Sequence, residues 1–128
     1  MNSVVSIPFR IRASWLILSI GIGTSIAVLT LMPQSQMPKA PQGLDKLYHA
    51  LAFAGLVLPT GVLRPDRRRI AVPLAVAYGA LIELVQSQVG RSAEFADLLA
   101  DGLGVMAGIA ISIALRRVLF ERPGAQRR

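Results

Sequence analysis

Apolar residues come in four long runs separated by short polar stretches. Ala13 to Met32 holds no charged residue, Leu47 to Leu63 is broken only by His49, Ile70 to Val89 carries Glu83 and Gln86, and Leu98 to Leu115 has Asp101 as its one charge. About twenty helical residues span about 30 Å, the thickness of a bilayer's hydrocarbon core. A helix of a soluble bundle shows a polar face. Ala13–Met32 and Leu103–Leu115 are apolar all round, with only scattered Ser and Thr. The pattern predicts an all-α membrane protein with four transmembrane helices, over about 13–32, 46–63, 70–89 and 97–116. They are expected to form an antiparallel bundle with short loops, one domain across 1–128.

The polar stretches read as turns. Pro33 to Gly43 holds three prolines, Arg64 to Arg69 is a basic turn, Gly90 to Phe95 links the last two runs, and 121–128 is a flexible tail. Pro59 and Pro73 lie inside apolar runs and are expected to bend their helices. Arg10 and Arg12 precede the first run, as in a signal peptide. That run is longer than a signal core, and no small-x-small site follows it, so a retained helix is expected. Trp15 would sit at its membrane interface.

Composition sharpens this reading. The net charge is +7, yet 53% of residues are hydrophobic and only 16% are charged, against about 25% in soluble domains. No nucleic-acid motif accompanies the basic residues, so membrane lipids are the expected partners and nucleic acid is not. The absence of cysteine excludes disulfides, thiolate metal sites and a cysteine nucleophile, and one His excludes a His-rich zinc site. No cofactor is expected. If loops alternate sides, eleven basic residues share a side with Asp66 and Glu121. The remaining Lys39, Lys46 and Arg91 lie with five acids on the other. The positive-inside rule then puts both termini in the cytoplasm of a bacterial plasma membrane.

The remaining polar groups converge. Asp45, Lys46 and His49 open the second run, Glu83 and Gln86 lie late in the third, Arg91 follows it, and Asp97 and Asp101 open the fourth. Every ionisable residue inside an apolar run falls in its outer half. An ionisable side chain in hydrocarbon costs about 2.5–3.5 kcal/mol on insertion scales unless it faces a partner or water. Glu83, Asp101 and His49 should therefore point inward, toward one another and toward Lys46 and Arg91. Gly104 and Gly108 follow Asp101 on one helical stripe, where small residues let a neighbouring helix approach. Simpler roles stand beside these. Asp45 and Asp97 suit helix N-termini, Lys46 suits snorkelling, and Gln86 suits interhelical bonding. Glu83 and Asp101 lie deepest and fit such roles least.

The chain resembles the VanZ-like family of small bacterial membrane proteins. The resemblance runs from Asp45 to Gly108. It rests on Asp45-Lys46-x-x-His49, Glu83-x-x-Gln86, and Gly90-Arg91 followed by Asp97, Gly104 and Gly108. One departure is Asp101, where the family usually has Asn. The resemblance implies a multi-pass plasma-membrane protein, and the family's name-giving member is linked to resistance to the glycopeptide teicoplanin. Three functions follow for the outer pocket. The preferred one is binding of a polar lipid head group, a lipid-linked cell-envelope intermediate or a glycopeptide by Asp45, Lys46, His49, Glu83, Gln86, Arg91, Asp97 and Asp101, with Lys46 and Arg91 on phosphate. The second is an enzyme with His49, Glu83 and Asp97 as candidate catalytic groups, His49 acting as acid/base beside Asp45 or another acid, or with acids holding Mg²⁺. The carboxylates show no recognised metal spacing. The third is an accessory or scaffold subunit whose network only sets helix register.

Overall fold

The computed structural model describes residues 7–36, 41 and 43–120. Lys39 and the expected flexible tail at 121–128 lie outside the described residues. Four helices run α1 Phe9–Leu31, α2 Leu44–Leu63, α3 Arg68–Gln88 and α4 Phe95–Phe120, with short 3₁₀ turns at Gln34–Gln36 and Pro65–Arg67. No strand occurs among the described residues. Each of the four helices is long and apolar enough to cross a membrane.

The helices outrun the apolar stretches at their ends. α1 starts behind Pro8 and includes Arg10 and Arg12, while α4 continues through Arg116 and Arg117 to Phe120. Arginine is a good helix former, so a charge ends the apolar run without ending the helix. α2 and α3 both run through their internal prolines, Pro59 and Pro73.

Consecutive helices are antiparallel, as expected, but the tightest partnership is the parallel pair of α2 and α4. Their register follows from matched positions: Lys46 with Asp97, His49 with Asp101, Ala50 with Gly104, Ala54 with Gly108 and Gly61 with Ser112. The glycines set the spacing. A Cβ on Gly104 would collide with the Ala50 carbonyl, and one on Gly108 would lie 2.7 Å from the Val57 side chain. α1 and α4 flank the α2/α3 pair on opposite sides. Phe53, Val57, Ala75, Ile82 and Val105 form the core, with Ile26 as the one buried residue of α1. Most other large apolar side chains face outward, which suits a lipid environment and would be costly in water.

One end of the bundle is tied together by arginine. Arg64 pairs with Asp66 at 2.7 Å and lies over the Trp15 ring, and Arg12 reaches Asp66 at 3.5 Å. Arg68 donates to the Gly61 carbonyl and Arg116 to the Val62 carbonyl. These are among the last carbonyls of α2, which have no partner within their own helix.

Candidate functional site

The opposite end carries a polar cluster that α2, α3 and α4 build together. Glycine turns position it. Gly43, at φ 88°, precedes α2, so Asp45, Lys46 and His49 occupy its first two turns. Gly90, at φ 76°, ends α3 and lets the Arg91 amide return to the Gln86 carbonyl at 3.1 Å.

An outer layer surrounds the Lys46 ammonium. It donates to Asp45 at 2.9 Å, Glu94 at 2.9 Å and Asp97 Oδ1 at 3.1 Å. Asp45, Lys46 and Glu94 remain partly exposed. Beneath them, the His49 Nδ1–H donates to Asp101 Oδ1 at 2.9 Å, and His49 Nε2 stands 3.8 Å from Asp97 Oδ2. The sequence left the acid beside His49 open between Asp45 and a neighbouring helix; it is Asp101, on α4. Glu83 rises from α3, and its Oε2 accepts the Glu94 backbone N–H at 3.0 Å, one of the donors that the start of α4 leaves unpaired.

Two carboxylate oxygens in this cluster are buried without a hydrogen-bond partner among the described residues: Glu83 Oε1 and Asp101 Oδ2. Asp101 is fully buried and Glu83 is 8% exposed. Gly79, one turn before Glu83, makes room for the deeper one, since a Cβ there would lie 2.8 Å from Asp101 Oδ2.

Gln86 and Arg91 go elsewhere. Gln86 Nε2 donates to the Thr30 carbonyl at 3.0 Å, and Arg91 Nη1 to the same carbonyl at 2.8 Å and to Met32 at 3.5 Å. Arg91 was expected to face the acids beside Lys46. The positive φ of Gly90 instead aims it at the end of α1, whose last carbonyls need donors. Glu94 and Gly79 belong to the site although the sequence reading did not single them out. The available signal for Gly79 was its i, i+4 spacing to Glu83; for Glu94 it was its place just ahead of α4. A separate cleft of about 460 Å³ between α1, α2 and α3 is lined by apolar groups with Trp15, Ser19, Thr60 and Tyr78, and includes no residue of the cluster.

Comparison by family finds a match to VanZ/LLP1 over residues 3–117. The chain belongs to this family. No curated protein and no solved structure matches it. The family assignment and the four apolar helices together make it a multi-pass membrane protein.

Proposed function

We propose that this VanZ-family chain binds a polar lipid head group, or a lipid-linked cell-envelope intermediate, in the recess between His49, Glu83, Asp97 and Asp101. The proposal sets the recess on the external side of a bacterial plasma membrane, with both termini cytoplasmic. The observation that carries it is the pair of buried, unpartnered carboxylate oxygens on Glu83 and Asp101. An unsatisfied buried acceptor costs about 1–3 kcal/mol, which favours a ligand that satisfies it. Lys46 is already bonded to three carboxylates and Arg91 to α1 carbonyls. Recognition of a bare phosphate by these two residues is therefore disfavoured. The free oxygens call for hydrogen-bond donors or positive charge, brought by the head group or by a cation bound with it.

Native mass spectrometry of the chain purified in mild detergent tests this. The wild type should retain a polar lipid that Glu83→Gln and Asp101→Asn release, while Arg91→Ala keeps it. An identical lipid complement in all four proteins would remove the reading. The resistance role is tested separately. Expression should lower teicoplanin susceptibility in the wild type and lose that effect in Glu83→Gln.

A further inference from the structure

Three donor groups in the polar cluster face one another from three different helices. His49 on α2, Glu83 on α3 and Asp97 on α4 each offer a ligand atom, all within 4.8 Å of one another. We propose that these residues hold a divalent first-row cation, Zn²⁺ by preference, and that the cation presents an open coordination position to an anionic group of the bound head group. The second half rests on the head-group reading above; the cation site does not.

The geometry of His49 is that of a metal ligand. Ligating histidines donate their second ring N–H to a carboxylate or carbonyl, which fixes the tautomer. Here Nδ1 donates to Asp101 Oδ1 at 2.9 Å, leaving the Nε2 lone pair toward Asp97 Oδ2 at 3.8 Å. Zinc bonds to N and O of about 2.0–2.2 Å put tetrahedral donors about 3.4 Å apart, so a small inward movement closes this pair on an ion.

Glu83 gives the independent sign of a ligand. Its Oε2 is fixed by the Glu94 N–H, and its Oε1 is buried with no partner among the described residues. The carboxylate is thus held in place with one oxygen available. Charge points the same way. Asp45, Glu83, Glu94, Asp97 and Asp101 surround one ammonium and one imidazole. A divalent ion offsets two of those negative charges.

The donor set selects the ion class. One imidazole with two carboxylates suits zinc or a neighbouring transition metal better than Mg²⁺, which favours all-oxygen ligation. Three protein ligands leave a fourth position for an exogenous group. A second acidic trio, Asp45, Glu94 and Asp97, also has ligand spacing, but the Lys46 ammonium already bonds all three.

The test uses the full chain in detergent, stripped with EDTA and dialysed against micromolar Zn²⁺, with metal content measured by elemental mass spectrometry. The wild type should bind one ion per chain. Glu83→Gln and His49→Ala should bind none, and Asp66→Asn, a carboxylate change at the arginine end, should match the wild type. Asp101→Asn, at a positioning residue behind His49, should weaken binding by about 10–100-fold. Circular dichroism and gel filtration confirm that each variant is folded; Glu83→Gln keeps a carbonyl to accept the Glu94 N–H. Co²⁺ loaded in place of Zn²⁺ should give a visible absorption band that His49→Ala lacks. No ion in the wild type, an ion retained by Glu83→Gln, or loss in Asp66→Asn alone overturns the cation site. Equal lipid retention by metal-free and metal-loaded chains overturns the link to the head group and leaves the head-group reading standing. A bound ion with no bound lipid overturns the head-group reading, and the link with it, and leaves the cation site standing.

Discussion

Glu83 uses one carboxylate oxygen to hold the entrance of α4 and keeps the other buried and unpartnered among the described residues. This separates two substitutions. Glu83→Ala should destabilise the fold by about 0.5–1.5 kcal/mol, because the part-buried Glu94 N–H loses its acceptor. Glu83→Gln should keep most of that stability while losing ligand. Unfolding in mixed micelles, compared with binding, checks both. Arg91 predicts the complementary result. Arg91→Ala removes charge-assisted bonds to the Thr30 and Met32 carbonyls and should cost about 1.5–3 kcal/mol, with ligand retention unchanged. At this scale the sequence was most legible where burial forced a partner. Asp101 and His49 each interrupt an apolar run, and they bond to each other. It was least legible at Arg91. Its direction depends on one left-handed glycine, and hydropathy carries no such information.

The packing of α2 on α4 depends on side chains that are missing. Gly104→Leu should separate the two helices, since even a Cβ meets the Ala50 backbone. The expected cost is about 1–3 kcal/mol or more, with His49 drawn away from Asp101. Gly102→Ala is the control on the same helix. A Cβ there has nothing within 4 Å, and replacing glycine in a helix gains up to about 1 kcal/mol. Heat-induced loss of helical signal in detergent should rank Gly104→Leu below wild type and Gly102→Ala at or above it. The small-residue stripe was legible, as was its role in packing within one chain. That its partner is the parallel helix α2 was not. Connection length fixes that neighbours in sequence run antiparallel, but not which pair packs closest. For the same reason the spacing of acids showed no metal pattern: the three candidate ligands come from three helices.

Across the whole molecule, charge separates by end. The arginine end gathers Arg12, Arg64, Arg68 and Arg116 around the close of α2, while Lys46 and Arg91 stand with the acids at the other. The positive-inside rule gives this a direction. Because the chain has no cysteine, single cysteines report it without background. Ser92→Cys should react with a membrane-impermeant maleimide in intact cells, and Arg69→Cys only after permeabilisation; the opposite pattern would reverse the topology. The parallel pairing of α2 and α4 also imposes an order on biogenesis. His49 is synthesised 52 residues before Asp101. Until α4 emerges, the second helix has a histidine and two charged neighbours with no intramolecular counterpart from α4. The His49–Asp101 bond can therefore form only once α4 has been made, so the cluster is completed after its α2 and α3 parts.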